Sequence, residues 1–140
     1  MLILDTNVVS GLRKQGERDV IRPWLDRQAL ASVWLTDITV AELRYGVAAH
    51  PEEQGRAQIA AFYEALISDF LEAGRIAPFT IATTRHFARG LARARAAGRE
   101  VRSFADGAIA AIALERRAMV ATRDTGPFEA IGVRVVNPWA

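Results

Sequence analysis

Apolar residues in this chain fall into runs of three or four, separated by longer stretches where they recur every three or four positions. The first pattern marks buried strands and the second marks helices. Leu2 to Leu4 reads as a strand ending at Asp5, followed by a helix from Asn7 to about Lys14 whose end is blurred by Gly11 and Gly16. Val20, Ile21, Trp24 and Leu25 place a helix over Arg18 to Gln28, in which Pro23 implies a second start or a kink. A second strand spans Ser32 to Thr36. Thr39-Val40-Ala41-Glu42 has the form of a capping box, a hydroxyl cap with an acid three positions on, and it precedes an apolar face of Val40, Leu43 and Val47. That helix is expected to end near His50-Pro51.

Ile59, Phe62, Tyr63, Leu66, Ile67 and Phe70 then make the face of a long amphipathic helix from Glu52 to about Glu72, with Gly74 as its stop. A brief strand at Ile76 to Phe79 leads to a helix from Ile81 to Ala97, ended by Gly98. Ser103-Phe104-Ala105-Asp106 repeats the capping-box form and opens an Ala-Ile-rich helix through Leu114, apolar on most sides. Met119 to Thr122 is the next strand, Asp124 to Ile131 a turn and short helix, and Val133 to Val136 a last strand before Asn137-Pro138-Trp139. Alternating strands and helices predict an α/β fold of three layers, α/β/α, with a mainly parallel central sheet. The 140 residues suit a single domain, without repeat or linker.

Composition narrows the function. An apolar fraction of 51% argues against disorder, and no stretch approaches the roughly 18 apolar residues of a membrane span. The strand starting at Leu2 leaves no room for an export signal, so a soluble, cytoplasmic protein is expected. Zero cysteines exclude disulfides and thiolate metal sites, and only two histidines, His50 and His86, argue against a zinc centre.

Asp5, Glu42, Asp106 and Asp124 each stand where an apolar run gives way to a turn or helix start. In an open parallel sheet the carboxyl ends of the strands line one crevice, so these distant acids can converge. Each also has a structural explanation: Glu42 and Asp106 as third residues after a hydroxyl cap, Asp5 and Asp124 as turn residues. Crowded together, however, carboxylates repel and raise one another's pKa unless a cation offsets them. Mg²⁺ or Mn²⁺ fits such an oxygen-only set, and a site of that kind hydrolyses phosphodiesters by lowering the pKa of water.

The motifs resemble one family. Leu4-Asp5-Thr6-Asn7, Thr39-Val40-Ala41-Glu42-Leu43-Arg44-Tyr45-Gly46, Ala105-Asp106 with Ile109-Ala110-Ala111, Ala121-Thr122-Arg123-Asp124 and Asn137-Pro138-Trp139 are similar, in order over the whole chain, to the PIN-domain family and its VapC-type toxins. The resemblance implies a metal-dependent endoribonuclease, the toxin of a toxin–antitoxin pair, with Asp5, Glu42, Asp106 and Asp124 binding Mg²⁺ or Mn²⁺. It implies hydrogen-bonding support from Thr6, Asn7 and Thr122, a homodimer, and a cognate antitoxin, typically a ribbon-helix-helix DNA-binding protein whose tail can place an arginine in the crevice. Many relatives carry a further Asp where this chain has Pro127. Thr122-Arg123-Asp124-Thr125-Gly126 instead resembles the FitB-like subgroup, with the acid moved to the Asn position.

The net charge is +2, but setting the four acids aside leaves +6, and seventeen of the eighteen basic residues are arginine. Arg85, Arg89 and Arg93 recur every four positions, and Arg95, Arg99 and Arg102 continue the stretch. They either grip RNA phosphates or form an ordinary solvated face. His86 reads as a surface or half-buried helix residue, and the three tryptophans Trp24, Trp34 and Trp139 as packing residues, Trp139 holding the last strand to the body. The rival from another class is a catalytically idle module that binds RNA or a partner protein. Asn7 stands where an aspartyl phosphatase needs a second Asp, and no phosphate-binding loop supports an NTPase.

Overall fold

A computed structural model describes the chain from Met1 to Ala140. Its first strand, β1 (Leu2–Leu4), is buried on both faces, Ile3 pointing to one side and Leu2 and Leu4 to the other. Such a strand belongs in the middle of a parallel sheet. β1 pairs with β2 (Val33–Thr36) on one side and β4 (Met119–Ala121) on the other, and β3 (Ile76–Ala77) and β5 (Val135–Val136) complete the order β3-β2-β1-β4-β5. All four pairings are parallel. The expected three-layer α/β/α arrangement is therefore present.

Leu2 and Leu4 join a core with α1 (Thr6–Gly11), α2 (Gln15–Asp26), α3 (Asp37–Ala48) and α4 (Glu53–Glu72). Ile3 joins a second core with α5 (Thr83–Ala96), α6 (Phe104–Arg116) and α7 (Thr125–Ile131). Full burial of each large apolar side chain contributes about 1.5–3 kcal/mol, which ties both layers to the same strand. In α6 a continuous run from Gly107 to Ala113 is buried, in keeping with its expected all-round apolar character. A Cβ on Gly107 would meet the Leu91 and Phe87 side chains at 2.9 and 3.1 Å, so this glycine lets α5 close against the first turn of α6. No helix is long and apolar enough to cross a membrane.

Several boundaries differ from the sequence pattern for local reasons. α3 starts at Asp37, directly after β2, because Thr36 is its cap and accepts from Thr39 N–H at 3.0 Å. Thr39 is thus the third residue of α3, not its cap, and Glu42 lies in the second turn. β3 stops at Ala77: Pro78 has no N–H, and Phe79 N–H is taken by the Asp37 carboxylate at 3.0 and 3.1 Å. Val133 leaves β5 because its N–H closes the end of α7 on Phe128 O at 2.9 Å, beside Gly132 at φ 102°. α1 ends at Gly11, three residues short of Lys14, and α2 runs through Pro23 as one helix.

Candidate active site

The strand order reverses at β1, so the crevice for a ligand opens at the carboxyl ends of β1 and β4. Asp5 stands there: its N–H donates to Ala121 O at 2.9 Å, which fixes it in register with the end of β4. Its carboxylate caps α1 through Thr6 N–H at 2.8 Å and accepts from Thr122 Oγ1 at 2.8 Å and Asn7 Nδ2 at 3.3 Å. With only 5% of its surface exposed, Asp5 is a carboxylate that has lost nearly all its water. That burial raises its pKa. The Thr122 and Thr6 hydrogen bonds oppose the rise, and the charges of Glu42 and Asp124 add to it.

Thr122 links this group to Asp124. Its hydroxyl accepts from Asn7 Nδ2 and from Asp124 N–H, both at 3.1 Å, while donating to Asp5. Asn7 in turn accepts Arg123 N–H at 3.2 Å, so one amide side chain ties α1 to the loop after β4. Asp124 occupies the cap position of α7 without a side-chain capping bond, and its carboxylate is exposed. The turn reading therefore leaves its oxygens free.

Glu42 enters from α3, half-buried, and its Oε1 accepts the Thr6 hydroxyl at 2.6 Å. The capping role expected of Glu42 is absent, since Thr36 caps α3 through Thr39 N–H and Glu42 is oriented by α1 instead. Asp106 does match its expected position: Ser103 caps α6 and accepts Asp106 N–H at 3.2 Å. Half-buried, its carboxyl has a raised pKa, first through desolvation and then through Asp5 and Asp124, with Ser103 lowering it slightly.

The four acids thus share one electrostatic neighbourhood, although no three of them close on a common point as a ready-made ligand set. Their chemistry fits a hard divalent cation: every donor is oxygen, and the chain's ion pairs engage Glu17, Asp26, Glu64 and Glu100, none of the four. Arg123, the neighbour of Asp124, is turned away onto Trp139, its guanidinium carbon 4.0 Å from the ring centroid, and onto Glu17 at 2.5 Å. This diversion was invisible in the sequence, where Trp139 read only as a packing group. Asp37 is a further acid at the same sheet edge, with a structural role the sequence did not reveal because its partner lies 42 residues away: both its oxygens hold Phe79 N–H.

A sequence profile of the PIN domain matches residues 2–133. The chain belongs to the PIN-domain family. It is 43% identical over 141 residues to VapC ribonuclease Y4jK of Sinorhizobium fredii, an alignment covering 99% of this chain and 98% of the relative. Toxin FitB of Neisseria gonorrhoeae is 44% identical over 142 residues, with 99% of each chain covered. Among solved structures, FitAB bound to an IR36 DNA fragment superposes with a TM-score of 0.91 at 39% identity, covering 100% of this chain and 96% of the other. The PIN fold and the likeness to VapC and FitB expected from the motifs are thus found over the whole length.

Proposed function

We propose that this PIN domain, a ribonuclease toxin of the VapC and FitB type, is a divalent-metal-dependent endoribonuclease whose 140 residues work as one domain. Asp5, Glu42 and Asp106 hold Mg²⁺ or Mn²⁺, and Asp124 completes the site. When bound, the ion supplies a water of lowered pKa and offsets charge developing on the phosphate oxygens. Thr122 and Thr6 oppose the burial-driven rise in the Asp5 pKa and aim its carboxylate by donating to it, while the Thr6 hydroxyl holds one oxygen of Glu42 and leaves Oε2 unengaged by it. Asn7 fixes the loop that presents Asp124. Arg85, Arg89, Arg93, Arg95, Arg99 and Arg102 are the candidate contacts for RNA phosphates.

The observation that carries this reading is a group of four carboxylates outside every ion pair, two of which, Asp5 and Asp106, have pKa values raised first by burial and then by neighbouring acids, in a chain with seventeen arginines. In the cytoplasm such a toxin is held by a cognate antitoxin, a ribbon-helix-helix DNA-binding protein, and the toxin pairs with itself as a homodimer. The FitAB assembly supports the protein partner. Purified protein is expected to cut single-stranded RNA only with Mg²⁺ or Mn²⁺, and Asp5→Asn to reduce turnover more than about 100-fold, beyond the usual effect of outer residues. Unchanged turnover in Asp5→Asn sinks the assignment, and RNA binding without cleavage in the wild type indicates the idle module.

A further inference from the structure

The structure divides the arginine stretch into three groups. Arg93 lies over Gly132 at the carboxyl end of α7, where a Cβ on that glycine would meet its Nη1 at 2.9 Å. Its charge faces the negative end of a helix dipole, a structural use. Arg85, Arg89 and Arg95 are exposed along α5. Arg99 and Arg102 differ, because they line a cleft of about 370 Å³ whose wall also includes Asp106, Gly126 and Pro127.

Within this cleft Arg99 Nη2 donates to Gly126 O at 3.2 Å, which steadies the guanidinium against the first turn of α7. Arg102 is only loosely paired, its Nε 3.6 Å from Glu100 Oε2, with side chains 88% and 55% exposed. A pair so solvated is worth little and yields readily to a stronger anion. Planar guanidinium groups match a phosphate with two parallel donors. The volume lies in the range of small-ligand sites, so it accommodates one nucleotide unit.

We propose that the cleft is an RNA subsite, receiving the nucleotide next to the bond that is cut, with Arg99 and Arg102 on its phosphate and Pro127 beneath its sugar or base. This rests on the ribonuclease reading above. Asp106 belongs to both places, so a strand whose scissile phosphate sits among the acids continues directly into the arginine-lined opening. Arg85 and Arg89 then have no part in holding the cut site.

Equilibrium binding of a fluorescent single-stranded RNA, measured in EDTA over a range of salt, tests the subsite without relying on turnover. For single strands each neutralised phosphate contributes about 0.7 to the slope of log K against log salt. The pair Arg99→Gln and Arg102→Gln, which together hold one phosphate, is expected to flatten the slope by about 0.7, whereas Arg85→Gln with Arg89→Gln flattens it by less. Should the double variant fail to fold, Arg102→Gln alone, at a solvated side chain, is expected to flatten it by a measurable part of that shift of about 0.7. An unchanged slope in a protein that cleaves RNA, as when the cleft serves an acidic segment of a partner protein, overturns the subsite and leaves the nuclease standing. Equal flattening in the α5 pair also overturns it. A wild type that neither binds nor cuts RNA overturns both.

Discussion

On one side of the crevice Asp5 is fastened by two donors from α1 and one from Thr122 just after β4, whereas across it Asp106 has only the Ser103 hydroxyl beside its carboxyl. Both acids have raised pKa values and both feel Asp124, but they reach that condition differently. The Asp5 side is made by long-range register, with partners such as Thr122 117 residues away. The Asp106 side is made locally, by a helix start and the cleft next to it. A fastened side and an open side suit the proposed roles, a cation held in one place and a polymer admitted at the other.

The largest contrast between the sides is expected from their hydroxyls. Thr122→Val removes the donor to Asp5 and the acceptor of Asn7 and Asp124, all close to the buried Asp5, and is expected to cost about 1–3 kcal/mol in stability and roughly 10- to 100-fold in metal affinity or activity. Ser103→Ala loses a helix cap worth about 1 kcal/mol and leaves Asp5 undisturbed. Chemical denaturation and Mn²⁺ titration of the two variants compare them. Equal losses of metal affinity would erase the distinction.

A smaller effect separates Asp5→Asn from Asp106→Asn in the metal-free protein. Both oxygens of Asp5 accept hydrogen bonds, so the amide introduced by Asp5→Asn puts a donor where Thr6 N–H or the Thr122 hydroxyl and Asn7 Nδ2 need an acceptor. Asp106→Asn disturbs no comparable network. We expect Asp106→Asn to melt at or above the wild type and Asp5→Asn to melt below Asp106→Asn by several degrees, since about 1 kcal/mol corresponds to roughly 2–4 °C in a domain near this size. The reverse order would show that repulsion outweighs hydrogen bonding at Asp5.

The smallest effect is in pH. Because Asp5 and Asp106 titrate in the folded chain above their ordinary 3.8, protonation favours the folded state. Their contribution is complete below the unfolded value and is lost as pH rises through the raised folded values. Metal-free stability should therefore contain a component that falls with rising pH above 3.8, diminished in Asp106→Asn. A thermal melt series without metal checks it.

These contrasts also explain what the amino-acid pattern conveyed. Asp5 and Asp106 were placed correctly because strand ends and hydroxyl caps are local signals. Glu42 was placed in the right crevice by its motif but given the wrong local reason, since Thr36 and Thr39 both have hydroxyls and only backbone geometry decides between them. The short edge strands were overestimated because their apolar residues continue past the last ladder bond, into Phe79 and Val133, whose N–H groups are used elsewhere. Which arginines face the acids was not legible at all, as the Arg123 stack on Trp139 depends on residues brought together only by the folded chain.

The position of β1 has a consequence for how the protein is made. The central strand emerges first from the ribosome, but the Thr122 hydroxyl that completes Asp5 and the Met119 N–H that bonds Met1 O come more than a hundred residues later. A chain interrupted before β4 has Asp5, Glu42 and Asp106 in its sequence and still has no assembled crevice. The crevice beside Asp5 is thus completed only once β4 has paired with β1.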